Sequence, residues 1–304
     1  MILLIRWLLR RWRDRQAEAA PQPEPGRPTS FRPTPAREGP TAAARGSLML
    51  VLHQARYDLL GVLRNRQARF FTLIMPLLFL VIFCGVFGNG TVKTHGIHEK
   101  LSTTYVPGLS ALAVIASSFV NLVISITAQR ENGVLKRRRA TPVSAWVLIA
   151  GRTLTAIGMS LVVVAVMLAV GRVAYGVTLP TSTIPGVAFT AVVGSVTFCV
   201  LAYALSTAIR SEDSAQPMVQ AIMLPLYFIS GVFVAQSIMP SWLRRVAEVF
   251  PVEHLSDGLH RAYDPTVHGV GIVWSDIGVL ALWAAIGLAV ALRRFSWLPK
   301  AVAG

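Results

Sequence analysis

The alternation of apolar and polar positions along the chain resolves into six long hydrophobic stretches, Phe70 to Gly88, Tyr105 to Ala128, Ala145 to Val170, Gly186 to Ile209, Pro217 to Ala235 and Val273 to Leu292. A helix needs roughly 20 residues to cross a hydrocarbon core about 30 Å thick, and each stretch reaches or approaches that length. The pattern predicts an all-α, polytopic membrane protein with six transmembrane helices over residues 70–294. Pro76 and Pro225 fall inside spans and predict kinks, because neighbouring helices must satisfy the backbone groups they free. Ahead of the first span, Leu48, Val51, Leu52, Ala55, Leu59 and Val62 recur at helical spacing, with His53, Arg56, Arg64 and Arg66 between or beyond them. This predicts an interfacial amphipathic helix over 47–69. Residues 1–46 open on a basic amphipathic run, Met1 to Arg15, and continue into a Pro-, Gly-, Ala- and Arg-rich segment without enough apolar surface to fold, so they predict a disordered tail. Between the fifth and sixth spans, Trp242, Leu243, Val246, Val249 and Phe250 make an apolar stripe that breaks at Pro251, and a second short helix follows to Tyr263. Segment 236–264 is too short and too polar to cross a bilayer and predicts a helical hairpin lying on or dipping into the outer leaflet.

Composition agrees with a membrane setting. Of 304 residues, 54% are hydrophobic and 14% charged, at a mean hydropathy of +0.57, whereas a soluble domain carries about a quarter charged residues. The formal net charge is +15 and the pI about 11.1. In a soluble protein that excess would point to nucleic acid; in so apolar a chain it points to anionic lipid and to loops retained inside, and no nucleic-acid partner is expected. Placing the N-terminus inside puts 23 of the 29 basic residues on the cytoplasmic side, including Arg130 and Lys136 to Arg139. Both termini, among them the tail 295–304, are therefore expected in the cytoplasm of a multi-pass plasma-membrane protein. Only four lysines accompany the arginines, in keeping with a GC-rich bacterial source. Cys84 and Cys199 lie within apolar runs and read as small buried hydrophobes.

Several chemistries are excluded or disfavoured. Proton coupling needs ionisable groups at membrane depth, and the predicted spans hold almost none: Arg152 and Asp276 lie near span ends and the six histidines outside them. A phosphate-cradling loop ends in Gly-Lys-Ser/Thr, and the chain has no Gly-Lys dipeptide. Paired carboxylates at catalytic spacing are lacking, so no catalytic residue is assigned and no cofactor is expected on this chain. His254, Asp257 and His260 recur every third residue, a spacing compatible with metal ligands but common on amphipathic helices, and no metal site is assigned. Ser117, Ser118, Asn121, Ser125 and Thr127 give the second span a polar stripe, matched by Tyr203 and Ser206 on the fourth and Tyr227 and Ser230 on the fifth. Such groups bond neighbouring helices or line a path; for the second reading the candidates are Ser118, Asn121, Ser125, Tyr227 and Ser230. A non-transporting scaffold or immunity protein, and a lipid-modifying membrane enzyme using the Glu253 to His260 group, remain alternatives.

Three blocks narrow the field. Between the second and third spans runs QRENGVLKRRRATPVSAWVLIAGR, residues 129–152, and its connector portion 129–144 closely resembles the Glu-x-Gly-(Thr)-Leu and Thr-Pro-Val-Ser segment of ABC transporter type-2 permeases, the drug-resistance and multidrug-export branch in particular. SGVFVAQSIMPSWLRRVAEVFPVEHLSDGLHRAYD, residues 230–264, resembles the Ser-Gly-x-Phe, Met-Pro-x-Trp-Leu and aromatic-Pro block of the same family, and Arg64-Asn65-Arg66 with Met75-Pro76-Leu77 resembles its entry. The resemblance covers roughly Leu48 to Arg294; it departs where Val134 replaces the usual Thr and in the very basic Lys136 to Arg139. It implies a type-2 exporter permease fold and a subunit that moves a hydrophobic or amphipathic drug, antibiotic or lipid. It also implies a second permease subunit, identical or not, and a separate ATP-binding-cassette ATPase that carries ATP and Mg. In that family the segment after Arg130 forms a coupling helix on the ATPase, which implies docking by Glu131, Gly133 and Leu135 with electrostatic support from Arg130. The hairpin would form the family's external lid, marked here by Pro240, Trp242, Phe250 and Pro251.

Overall fold

A computed structural model describes residues 40–86, 90–94, 97–134, 145–177, 181–209, 211–234, 239–263 and 269–294. The chain divides into two compact units, Met1–Met49 and Leu50–Gly304. Of the first, the described part is the opening of helix α1, Pro40–Arg64; the remaining structure belongs to the second. Most of the predicted tail, the segment 135–144 with Leu135, and 295–304 lie outside the described residues.

Helix α1 begins at Pro40, inside the segment predicted as tail. The physical reason is local: Pro40 supplies a preset first turn and Ala42 to Ala44 are strong helix formers. It ends at Arg64, and Asn65 starts the short helix Arg66–Arg69 by accepting the Ala68 amide at 3.1 Å through Oδ1. The predicted interfacial helix is thus split at Asn65. Helix α2, Phe70–Val86, widens into a π-helical turn over Phe70–Ile74 just before the buried Pro76, whose missing N–H would otherwise break the ladder.

A short β-hairpin, β1 (Thr91–Thr94) antiparallel to β2 (Ile97–Lys100), joins α2 to α3. This strand pair was not expected in an otherwise helical protein. Helix α3, Ser102–Glu131, is α-helical to Ile115, π-helical over Ala116–Val120, and α-helical again from Asn121. Helix α4 is Ala145–Tyr175, α5 Ile184–Ser206, α6 Glu212–Ile229, α7 Ser241–Ala247, α8 Pro251–Tyr263 and α9 Trp274–Arg294.

All six predicted stretches are helical, and four of the helices (α3, α4, α5 and α9) are long and apolar enough to cross a membrane. Helix α2, at 17 residues, spans about 26 Å and α6, at 18 residues, about 27 Å, both a little short of the hydrocarbon thickness. At two places the helix ends differ from the predicted span limits. Helix α3 runs on beyond Ala128 to Glu131. A capping box between Ser211 and Ser214 starts α6 at Glu212, ahead of Pro217, and the helix ends at Ile229.

Helix α3 is the hub, packing against α2, α4, α5, α6 and α8. Its core face includes Val106, Leu109, Leu112, Ile115, Phe119, Val123 and Ile126, all buried. Because lipid is as apolar as leucine, close approach and hydrogen bonds hold such a bundle together more than burial does. Gly108 shows the closeness: a Cβ built there would lie 2.7 Å from the Val232 carbonyl oxygen. The chain therefore folds back over α3 immediately after α6. Phe233 is seated there against Phe79, Phe83, Tyr227 and Phe228. Cys84 and Cys199 are buried free thiols, as their setting predicted.

Candidate functional site

The last turn of α3 and the residues that close it, Gln129 to Gly133, bond to three other segments: α4, the end of α5 and the start of α6. Gln129 donates from Nε2 to Ser125 Oγ at 3.0 Å and accepts from the Arg152 guanidinium of α4. Arg152 in turn faces Asp58 of α1, Nε to Oδ2 3.8 Å, while Thr155 donates to the Ala55 carbonyl at 3.0 Å. Helix α1 is thereby fastened to α4, and α4 to the end of α3.

Arg130 is only 2% exposed. Its Nη1 donates to the Ser206 carbonyl at 2.8 Å and its Nη2 to the Ile209 carbonyl. A helix leaves its last four carbonyls without intrahelical partners, and a planar guanidinium can serve two of them while its charge complements the negative end of the helix dipole. Arg130, expected to lend electrostatic support to docking, is here a buried group that caps the end of α5. Burial of an unpaired charge costs several kcal/mol, so the two carbonyls are what make extension of α3 through Arg130 possible.

Glu131 is exposed, yet its Oε2 accepts the backbone N–H of Glu212 at 2.5 Å, the first residue of α6. Asn132 reaches the same residue, Nδ2 to Glu212 Oε2 3.4 Å. Gly133 then takes φ +66°, a left-handed conformation that ends the helix, with its N–H on the Arg130 carbonyl at 3.2 Å and open space where a Cβ would be. Of the residues assigned to ATPase docking, Arg130, Glu131 and Gly133 are therefore brought together in one turn, and Leu135 lies outside the described residues.

The residues proposed for a path have these surroundings within the chain. Ser118 is fully buried and donates to the Val114 carbonyl of its own helix at 2.5 Å. Asn121 donates to Thr72 Oγ1 of α2 at 2.5 Å, and Ser125 is taken by Gln129. Tyr227 is buried, and Ser230, buried without a hydrogen-bond partner, is the residue at which α6 ends. These contacts match the helix-packing reading of the polar stripe, to which Ser117 adds a 2.6 Å bond with Ser160 of α4.

At the other end of α3 sits the predicted hairpin. Its first helix, α7, is superficial: Pro240 is exposed, Trp242 is 64% exposed, and Val246 and Val249 also face outward. The second, α8, is packed into the bundle. Pro251, Val252, Leu255, Leu259, Ala262 and Tyr263 are buried against α3, α5, α6 and α9, and Phe250 is half-buried at the bend. Gly194 of α5 admits Leu255, whose Cδ1 would lie 2.5 Å from a Cβ placed there. Small residues on the receiving helices and a polar α8 face with its own partners allow this insertion.

His254 places Nδ1 2.9 Å from Asp276 Oδ1 of α9 and Nε2 2.8 Å from the Glu248 carbonyl. Both neighbours are acceptors and one of them is a carboxylate, which favours the doubly protonated, charged ring. The bond to Asp276, outweighing burial, raises its pKa to about 9, with the Glu248 carbonyl and Glu253 adding to the effect. His260 bridges the Ser256 carbonyl at 2.8 Å and the Thr104 carbonyl of α3 at 2.9 Å, while burial pushes its pKa below the usual value. Asp257 pairs with Arg261 at 3.1 Å. The three residues with metal-like spacing thus turn to three different partners, and among the described residues no group of three His, Cys, Asp or Glu is placed to hold a metal. The Asp276 partnership was invisible in the sequence, because its members lie 22 positions apart on different helices.

Residues 51–263 match the family described as ABC-2 type transporter. Among curated proteins, the chain is similar to the "Probable multidrug ABC transporter permease YbhR" of Escherichia coli K12, at 24% identity over 190 residues, covering 62% of this chain and 51% of that protein. It is also similar to the "Daunorubicin resistance ABC transporter permease protein DrrB1" of Streptomyces coeruleorubidus, at 25% identity over 219 residues, covering 71% of this chain and 73% of that protein. The matched region thus spans about half the length of the first of these relatives.

Proposed function

Since the chain belongs to the ABC-2 type transporter family, we propose that it is the membrane-spanning permease subunit of an ATP-driven exporter, powered by an ATP-binding-cassette subunit that carries the ATP and Mg. The observation that carries this reading is the junction at Gln129 to Gly133: in the sequence a strongly basic connector follows directly on a turn whose side chains hold α4, α5 and α6 at once. Such a turn is suited to receiving a push from a soluble motor. The connector's basic run favours the cytoplasmic side, which sets both termini there and makes the α7–α8 hairpin external.

In this reading α2 and α6 complete a set of six spans, and a second permease subunit, identical or not, completes the transmembrane unit in a bacterial plasma membrane. The cargo is hydrophobic or amphipathic, supported by the scarcity of charge within the bundle and by the drug-related names of the relatives. The test is co-purification followed by reconstitution. An ATP-hydrolysing partner should be recovered with the chain, and vesicles holding the complex should move a lipophilic dye or anthracycline only with ATP. Transport by the chain alone, or a connector mapped to the external face, would refute the proposal.

A further inference from the structure

Glu131 belongs to the segment whose resemblance implies contact with the ATPase, yet its carboxylate is already engaged inside this chain. Oε2 holds the Glu212 amide at 2.5 Å, at the positive end of the α6 dipole. One residue earlier, the buried Arg130 holds the Ser206 and Ile209 carbonyls at the end of α5. One residue later, Asn132 reaches the Glu212 side chain. Three consecutive residues at the end of α3, Arg130 to Asn132, therefore grip both sides of the turn between α5 and α6.

Local bonds within that turn include Thr207 N–H to the Ala204 carbonyl, Ala208 N–H to the Leu205 carbonyl, and the Ser211–Ser214 box. Immediately beyond the grip, Gly133 turns the chain out with nothing packed against its Cβ position. The connector joins the described bundle at two places, the end of α3 and the start of α4 at Ala145, and at the first of these residues 130–132 act on the α5–α6 turn. Helix α6 is a rod of about 27 Å whose far end carries Tyr227 and the Ser230 to Phe233 fold-back over Gly108.

We propose that Glu131 is a positioning residue that transmits connector movement to α6 through the Glu212 amide, and does not itself dock on the motor. The inference rests on the permease reading and names how that junction works. Spatial proximity alone does not establish such a relay; what establishes it is a perturbation that breaks coupling while leaving both ends intact.

The experiment uses the full chain in complex with its ATP-hydrolysing partner, reconstituted in vesicles of bacterial polar lipid. Glu131→Ala should co-purify with the partner in parental yield and keep ATP turnover, while transport per ATP falls by about fivefold or more, the scale of losing one helix-terminal acceptor. Glu131→Gln keeps an acceptor oxygen and should restore most of the coupling. A readout independent of transport is the separation of spin labels at Val134→Cys and Asp213→Cys in a Cys84→Ser, Cys199→Ser background. It should stay narrow when nucleotide is added to the parent and broaden with Glu131→Ala. Loss of co-purification in Glu131→Ala would make Glu131 a docking residue and overturn the inference while leaving the permease reading in place. Unchanged coupling in Glu131→Ala, or a Gln variant as impaired as the Ala variant, would also overturn it. Failure of the parent chain to bind any ATPase would remove the permease reading and the inference with it.

Discussion

Replacing His254 with Gln offers a measurement of how firmly the hairpin is held to the last helix. The imidazolium donates to Asp276 on α9 and to the Glu248 carbonyl, and its pKa rises from 6.5 to about 9, chiefly through the Asp276 bond. At 1.36 kcal/mol per unit, that shift corresponds to about 3 kcal/mol if all of it reached stability. The side chain is 13% exposed, and water at the edge of the site screens the pair, so about 1–2 kcal/mol is the expected loss. The sign follows from the raised value: the contribution is complete below pH 6.5 and disappears as pH climbs through about 9. Above that point the parent also holds Asp276 beside an uncharged partner, so parent and His254→Gln should converge. Unfolding can be followed in detergent with a thiol-reactive dye, since Cys84 and Cys199 are buried and become reactive on opening. Midpoints of both proteins between pH 6 and 10 should differ most at the acidic end and meet above pH 9. A gap that is constant across the series, or missing at pH 6.5, would refute the imidazolium latch.

His260 should act in the opposite sense: burial lowers its pKa, so it contributes a loss of stability as pH falls below 6.5, and His260→Gln should flatten that part of the same melting profile. Gly108→Ala brings a Cβ within 2.7 Å of a backbone oxygen and should cost about 1–3 kcal/mol, whereas Gly194→Ala meets only the mobile tip of Leu255 and should cost less, as paired denaturation curves would show. Asn121→Leu and Thr72→Val should give a coupling energy of about 1 kcal/mol in a double-mutant cycle; additive effects would mean that the bond between α2 and α3 contributes nothing.

Sequence reading placed the helices well because hydropathy is summed over twenty positions, but their ends depend on single partners. Helix α3 extends to Glu131 only because Arg130 finds the Ser206 and Ile209 carbonyls, at and just beyond the end of α5 and 76 and 79 positions away, which no local pattern encodes. The start of α6 was legible: Ser211 with Ser214, followed by Glu212 and Asp213, is a helix-start signal, and span hydropathy drew the boundary later than the cap does. The β-hairpin also left a mark, two short runs separated by His95-Gly96, but four-residue strands of mixed polarity give little period-two signal. Helix α8 misled for a different reason. Its Glu253, His254 and Ser256 look like a wet face, whereas Glu253 and Ser256 are buried and His254 is engaged with Asp276. In the candidate junction the cluster of Arg130, Glu131 and Gly133 was visible as a motif; what each side chain touches was not.

The five-residue wide turn at Ala116–Val120 sets a phase relation along α3. Each residue advances a regular helix by about 100°, and a π-turn winds more slowly, so this segment fixes the azimuth of Arg130 relative to Gly108. Both ends can then face their own neighbours, the α5 terminus at one and the Val232 backbone at the other. Tightening the segment into regular α-winding with the same number of residues would turn one end further relative to the other, so the two halves of this helix are in register through a defined slack in its winding.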